Sequence, residues 1–316
     1  MQFHDYPFQR HFIDVGGINL HYVDEGPSNA DPILMLHGNP TWSYYFRQLI
    51  TALTSASHPG ATGRGTPRPV ADGHYRTIAP DHIGMGLSDK PGEDRYEYTL
   101  SRRVTDLEKL LDHLDLKKPL TLVLHDWGGM IGMALATRRP DRIARIIVLN
   151  TSAFGLPADK QMPWQLNLAR TPFLGAMLVR GFNAFSTGAV KNCVIRPIPK
   201  EVRTAYLSPY DTWQNRLAVH RFIQDIPLQP DDRAFDQMAD VEKNLPQFQP
   251  LPMLICWGMK DFVFDIHFLN RWIERFPAAE VHRFDQAGHY VLEDAAEQII
   301  PLVQRFLESH PISPPA

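Results

Sequence analysis

The stretch "LVLHDWGGMIG", from Leu122 to Gly132, decides the fold, because it joins an apolar strand to a helix through a sharp turn. The run before the turn is continuously apolar, which is typical of a strand buried on both faces of a parallel sheet. A glycine-rich helix start follows the turn. Asp126 stands at the bend, where many enzymes built this way carry a serine. The stretch therefore predicts a carboxylate presented at the edge of a parallel sheet.

Strand patterns alternate with helical patterns on both sides of this stretch. "RHFIDV" and "INLHYVDEG" predict an early hairpin that turns at Gly16 and Gly17. Alternating units of this kind form a mostly parallel sheet with helices on both faces. Further strands are predicted at 32–38, 75–84, 120–126, 142–150, 252–258 and 279–285.

Two segments interrupt the alternation. Residues 54–74 are rich in Gly, Pro, Ser and Thr, which indicates a surface loop that lengthens one connection. Residues 153–232 lose the strand pattern and become helical, with many aromatic residues and methionines. We interpret them as a helical cap inserted after the sixth core strand, so that the core consists of residues 1–152 and 233–316.

The composition limits the classes of protein to which the chain can belong. It has 316 residues, 44% of them hydrophobic, and a formal net charge of −3, so nothing predicts a nucleic-acid partner. Two cysteines far apart in sequence predict neither a disulfide framework nor a metal site. The amino-terminal region lacks the apolar stretch of a signal peptide, and no apolar run is long enough for a transmembrane helix. We therefore expect a cytoplasmic protein.

Three polar residues each follow a predicted strand, where ligands bind in open α/β sheets. Asp126 follows "LTLVLH", Asp261 follows "PMLICWG" and His289 follows "VHRFD". A lone Asp after a strand is more often a helix N-cap, and a lone His is more often a hydrogen-bonded surface residue. Three of them in the order nucleophile, acid and base predict a catalytic triad. The strand before the cap ends with Asn150 rather than a carboxylate, so Asp261 is the expected acid.

A carboxylate in the nucleophile position indicates chemistry other than that of a serine esterase. Asp126 is ionised near neutral pH and needs no base to attack an electrophilic carbon. The product of that attack is an ester. His289, oriented by Asp261, would then activate a water molecule or act as an acid.

Asn39 and Trp127 are the candidates for holding a departing anion. Trp127 offers an indole N–H, Asn39 offers an amide N–H, and their backbone N–H groups follow strands where an oxyanion hole forms. The alternatives are a packing role for Trp127 and a turn position for Asn39 in "GNP". Both residues flank the expected nucleophile pocket, which favours the functional role.

The motifs "HGNPTWSY", "DHIGMGLSDKP", "HDWGG", "WGMKD" and "GHYVLEDA" resemble those of α/β-hydrolases of the haloalkane dehalogenase group. The cap motifs "LVRGFNAFSTGAV", "LSPYDTW" and "RFIQDIPLQPDDR" are similar to the β-lactone decarboxylases of bacterial long-chain olefin biosynthesis. The resemblance implies a mostly parallel eight-stranded sheet with an inserted helical cap. It also implies decarboxylation of cis-3,4-dialkyl β-lactones to cis-olefins and CO2, without a metal or other cofactor.

Three alternatives remain open at this stage. The same residues would let a haloalkane dehalogenase hydrolyse haloalkanes to an alcohol and a halide, with the halide between Asn39 and Trp127. A hydrolase fold can also serve as a non-catalytic scaffold, although an intact triad argues against that. The patterns leave open whether Asp126 attacks the carbonyl carbon or the alkyl carbon of a lactone. The resemblance further implies a complex with the enzymes that make the substrate.

Apolar residues of the cap predict a long apolar substrate. Each of them singly is explained by packing, but together they are typical of an apolar tunnel. The candidates for lining it are Trp164, Phe173, Met177, Phe182 and Phe185. In the last predicted helix, within 293–308, Glu293 and Asp294 are expected to serve its N-terminus.

Overall fold

The structure is a computed structural model that describes residues 3–54 and 75–312. Its sheet has the strand order β1-β2-β4-β3-β5-β6-β7-β8 within these residues. The first pairs, β1 with β2 and β2 with β4, are antiparallel, and the following pairs are parallel. The strands are β1 (His11–Asp14), β2 (Asn19–Glu25), β3 (Asp31–Leu36), β4 (Tyr75–Pro80), β5 (Leu120–Asp126), β6 (Ile143–Thr151), β7 (Met253–Gly258) and β8 (Glu280–Phe284). The predicted hairpin and the mostly parallel eight-stranded sheet are confirmed.

The two faces of the sheet bury separate hydrophobic clusters, which explains the continuously apolar strands. In β5, Leu122 and Leu124 belong to one cluster and Val123 to the other. Because successive side chains of a strand point to opposite faces, a strand covered on both faces has no polar alternation. In the described residues the helices are α1 (Arg47–Thr54), α2 (Leu100–Leu114), α3 (Trp127–Arg138), α4 (Trp164–Arg170), α5 (Pro172–Ala176), α6 (Ala184–Asn192), α7 (Lys200–Leu207), α8 (Leu217–Gln224), α9 (Phe235–Asn244), α10 (Ile266–Arg275) and α11 (Val291–Ser309).

Helices α4 to α8 follow β6 as one continuous stretch of chain, and α9 returns to pack on α3 of the core. The limits of 153 and 232 for the cap stay predictions. Of the loop predicted at 54–74, residue 54 ends α1 and residues 55–74 lie outside the described residues. No helix in the described ranges is long and apolar enough to cross a membrane.

Polar contacts attach the cap to the core at partly buried positions. Glu293 accepts a hydrogen bond from the hydroxyl of Tyr206 in α7, and Asp294 accepts from the backbone N–H groups of Ile195 and Arg196, both at 3.0 Å. Both carboxylates lie in the first turn of α11, as expected, and a role at its N-terminus stays a prediction beside these contacts with the cap. The sequence shows them in the first turn of a helix, but only the fold brings cap donors to them.

Candidate active site

Asp126 lies at a strained turn between β5 and α3. Its φ of 52° and ψ of −125° belong to a region that side-chain-bearing residues adopt rarely, and such strain is typical of functional sites. The turn brings α3 so close to β3 that a Cβ on Gly128 would lie 1.9 Å from the carbonyl oxygen of Leu36. Only glycine fits there, so the local sequence "DWGG" holds the carboxylate at the sheet edge.

The two oxygens of the Asp126 carboxylate have different surroundings. Oδ1 accepts a hydrogen bond of 2.6 Å from the backbone N–H of Asn39, whereas Oδ2 faces His289 Nε2 at 3.5 Å. Burial raises the pKa of Asp126, but the hydrogen bond and the charge of His289 outweigh it and hold that pKa below its ordinary value. Asp126 is thus an ionised carboxylate with one oxygen fixed and the other directed at the imidazole.

His289 joins the two carboxylates. Its Nδ1 lies 2.8 Å from Oδ2 of Asp261, and its ring stacks on Phe264 with an interplanar angle of 23°. Burial lowers the pKa of His289, but the charge of Asp261 and the hydrogen bond to Asp126 raise it to about 10. The imidazole is therefore protonated at neutral pH in the free site.

The carboxylate of Asp261 is fixed by donors on its own loop and on a neighbouring strand. Oδ1 accepts from the backbone N–H groups of Val263 and Phe264, at 2.7 and 3.1 Å. Oδ2 accepts from His289 and from Nδ2 of Asn150, which lies 3.0 Å away. Charged acceptors with several donors are strongly positioned.

Asn150 is a residue of the site that the sequence did not predict. Its amide forms a pair of hydrogen bonds with the backbone of Gly258, at 2.7 and 3.0 Å, and also reaches Asp261. Asn150 lies near the carboxyl end of β6, on the same sheet edge as the other site residues. The signal in the sequence is a polar side chain at that edge, which a search for carboxylates alone does not detect.

The side chains of Asn39 and Trp127 lie beside the carboxylate of Asp126. Asn39 Nδ2 donates to the carbonyl oxygen of Val219 at 3.0 Å, which leaves the second proton of that amide for a ligand. The half-buried indole of Trp127 packs edge-to-face on Phe222, and its N–H has no hydrogen-bond partner among the described residues. The two side chains thus retain N–H donors next to Asp126.

A cavity of about 630 Å³ contains the site, and Asn39, Asp126, Trp127 and His289 are among the residues that line it. The surrounding wall is mostly apolar. It includes Leu166, Leu168, Val179, Phe185, Ile223, Leu228, Phe264 and Phe268. The volume of the cavity and its few convergent polar groups are typical of a site for an apolar small molecule.

A family model described as alpha/beta hydrolase fold matches residues 31–296. The chain belongs to the α/β-hydrolase family. This α/β-hydrolase is 48% identical over 302 residues to a cis-3-alkyl-4-alkyloxetan-2-one decarboxylase of Shewanella oneidensis, covering 95% of this chain and 89% of the relative. A haloalkane dehalogenase of Mycolicibacterium paratuberculosis is 31% identical, and the match covers 96% of this chain and 95% of that relative. The crystal structure of the haloalkane dehalogenase DatA from Agrobacterium tumefaciens superposes on this structure with a TM-score of 0.80. The two sequences are 25% identical, and the match covers 96% of this chain and 97% of DatA.

The cap of this α/β-hydrolase differs from the expectation at three residues. Trp164 and Phe185 line the cavity, whereas Phe173, Met177 and Phe182 are not among its lining residues and are exposed. Short, irregular cap helices do not reveal from sequence which apolar face turns inward, because both faces carry apolar residues. In the described ranges no group of three or more His, Cys, Asp or Glu residues is arranged to hold a metal ion.

Proposed function

We propose that this α/β-hydrolase converts cis-3-alkyl-4-alkyloxetan-2-ones, which are β-lactones, into cis-olefins and CO2, with Asp126 as the nucleophile. One observation carries the proposal: an ionised carboxylate lies against an imidazolium within an apolar cavity. The decarboxylase relative at 48% identity supports the lactone as the electrophile. The cavity wall supports long alkyl substituents.

The hydrogen bonding of Asp126 favours attack on the alkyl carbon that bears the ring oxygen. Attack on the lactone carbonyl would create an oxyanion that needs backbone donors, but the N–H of Asn39 is engaged by Asp126 itself. Attack on the alkyl carbon expels the ring oxygen as part of a carboxylate. The remaining side-chain N–H of Asn39 and the indole N–H of Trp127 are suited to hold that carboxylate.

The second step then releases the olefin. The bond between the carboxylate carbon and its neighbour breaks as CO2 leaves, its electrons form the double bond, and the ester oxygen returns to Asp126. The imidazolium of His289, 3.5 Å from Oδ2, stabilises the negative charge that returns to that carboxylate. Inversion at the attacked carbon followed by anti elimination gives a cis-olefin from a cis-lactone, and no water is consumed.

Haloalkane hydrolysis is the second candidate, because Asn39 and Trp127 also suit a halide and a dehalogenase relative is 31% identical. That reaction requires a neutral His289 to accept a proton from water. The decarboxylase relative, at the higher identity of 48%, favours the lactone reaction.

One side-by-side assay tests both functions. Purified protein is incubated with a long-chain cis-β-lactone and, separately, with 1-bromooctane, and olefin and bromide are measured. We expect olefin from the lactone and at least a thousandfold loss in Asp126→Ala, with Asp141→Ala as the matched surface control. Absence of olefin, or full activity in Asp126→Ala, would overturn the proposal. Bromide without olefin would assign the site to haloalkanes.

The proposal includes a cytoplasmic location and a complex with the enzyme that supplies the β-lactone. The lactone is strained and apolar, so direct transfer between enzymes would limit its hydrolysis. Affinity purification of the full chain from its own host, followed by mass spectrometry, tests this. Recovery of the full chain without any lactone-forming enzyme would contradict the proposed complex, but it would not affect the proposed decarboxylation.

A further inference from the structure

Exposed apolar side chains are concentrated on the cap. Of the ten large apolar side chains that are exposed within residues 3–54 and 75–312, seven lie between residues 164 and 213. Scattered exposed apolar residues are ordinary, but a concentration on one part of the surface marks an interaction site. Five of these define what we call the cap face: Trp164, Phe173, Leu174, Met177 and Phe182.

The cap face forms on successive turns of α4, α5 and the π-helical turn Met177–Gly181 that continues α5. Phe173 and Met177 are four residues apart in this helical segment, so their side chains project on the same side. Phe173 is 88% exposed and Phe182 is 71% exposed, so nothing in the described chain covers them. Leaving two phenylalanines in water is costly, which indicates a partner.

The segment of the cap that carries the cap face is rich in basic residues. Residues 160–200 contain six Lys or Arg residues and no Asp or Glu, in a chain whose net charge is −3. Lys160 pairs with Asp265 and Arg170 pairs with Asp232. The other four make no ion pair with any described residue: Arg180, Lys191, Arg196 and Lys200. Arg180 belongs to the same turn as Met177, and Lys191 lies on α6, which packs against that turn, so positive charge accompanies the exposed apolar side chains.

The cap face is continuous with the mouth of the cavity. Trp164 lines the cavity although it is 68% exposed, so its indole lies where the cavity meets the surface. Leu178 also lines the cavity and is the chain neighbour of Met177 on the cap face. Phe262, from the loop after β7, is likewise both exposed and part of the lining. An apolar molecule leaving the cavity would meet the cap face first.

We propose that the cap face binds the surface of an anionic phospholipid bilayer and holds the cavity mouth against the lipid. Apolar residues flanked by Lys and Arg are the pattern by which helices lie in the headgroup region, and Trp prefers that depth. Each cation near such a surface contributes about 1 kcal/mol of binding. The inference rests on the proposed function, because a dialkyl lactone and an olefin both dissolve in lipid. Binding of the cap face to the bilayer itself requires no substrate.

Vesicle flotation of the full chain tests the proposal. The vesicles contain either phosphatidylcholine alone or phosphatidylcholine with 30–50% phosphatidylglycerol (about the range of anionic lipid that gives strong surface potentials). Phe173→Gln/Phe182→Gln removes two apolar contacts, Lys191→Glu reverses one unpaired charge, and Phe12→Gln is the matched control, since Phe12 is exposed on β1 away from the cap. Circular dichroism and Tm verify that each variant is folded.

We expect the wild type and Phe12→Gln to float with anionic vesicles at low salt. Partition should fall at least tenfold for Phe173→Gln/Phe182→Gln and about fivefold or more for Lys191→Glu, and it should fall as salt is raised. Failure of the wild type to bind, or binding unchanged in the double variant, would overturn the proposal. Dimerisation that the double variant abolishes, without vesicle binding, would assign the cap face to a second copy instead. None of these results depends on lactone turnover.

Discussion

Asn150 links Asp261, the proposed acid of the triad, to the backbone of β7 through one amide. Its Nδ2 donates to Asp261 and to Gly258, and its Oδ1 accepts from the N–H of Gly258. The φ of 38° at Asn150 shows that the backbone is strained in order to place this side chain. Asn150 is thus a positioning residue that acts through Asp261.

We expect Asn150→Leu to lower kcat by about 10- to 100-fold, the cost of losing a hydrogen bond to a charged group, with little change in KM. In Asp261→Asn, adding Asn150→Asp should restore part of the loss, because a carboxylate then stands on the neighbouring strand. Steady-state kinetics of the wild type, Asn150→Leu, Asp261→Asn and Asp261→Asn/Asn150→Asp measure these changes in kcat and KM. An unchanged kcat in Asn150→Leu would show that the loop donors alone hold Asp261.

The protonated His289 makes stability depend on pH. Because the pKa in the folded state, about 10, exceeds the unfolded value near 6.5, the interaction is fully present below about pH 6.5 and is lost as pH rises toward 10. The free energy of unfolding should therefore fall between pH 6.5 and 10. Urea unfolding at pH 6.5, 8 and 9.5 measures it. A wild-type curve parallel to that of His289→Gln would contradict the assignment.

The turn between β5 and α3 tolerates no side chain at Gly128. A Cβ there would lie 1.9 Å from the Leu36 oxygen, which is backbone and cannot move aside cheaply. We expect Gly128→Ala to destabilise the protein by about 3 kcal/mol or more. Gly188→Ala is the control, since within α6 its Cβ has no neighbour closer than 3.9 Å, and it should stabilise by about 0.5–1 kcal/mol. Thermal unfolding gives the Tm of each variant. Equal Tm values for Gly128→Ala and Gly188→Ala would contradict the predicted clash with the Leu36 oxygen.

Secondary-structure elements and site residues could be predicted from sequence where a single local pattern determines them. Buried strands are continuously apolar, and polar residues at their carboxyl ends meet at one edge, so Asp126, Asp261 and His289 could be placed together. The roles of Glu293 and Phe173 could not be predicted in this way. Each depends on which segment packs opposite, and that is decided by tertiary contacts that leave no local pattern.

At the scale of the whole molecule, a buried ion pair joins the cap to the core. Arg103 of α2 donates to Asp225, at the end of α8, over 2.7 Å, and its guanidinium lies 3.7 Å from the ring centroid of Phe222. Burial raises the pKa of Asp225 even though Arg103 opposes that shift. Removal of the cation would therefore leave a buried carboxylate unpaired.

We expect Arg103→Met to cost about 3–5 kcal/mol at pH 7.5 and less as the pH falls, because burial raises the pKa of Asp225 and helps it to take up a proton. Arg103→Met/Asp225→Asn should recover most of the loss, because the neutral amide has no charge to compensate. Urea unfolding of the wild type and the variants, including Asp225→Asn alone, completes the cycle. A double variant no more stable than Arg103→Met would show that the guanidinium acts by packing alone.

The cap leaves the core after β6 and returns at α9 as a single uninterrupted stretch, whereas Asp126, Asp261 and His289 all stand on core loops. The proposed catalytic residues therefore lie on core loops, whereas much of the apolar cavity wall comes from the cap, a separate segment of the chain. Recombination that exchanges only the cap segment would deliver a new chain-length preference to an unchanged triad. Such an exchange is one route by which a family sharing this core could diversify toward haloalkanes or lactones.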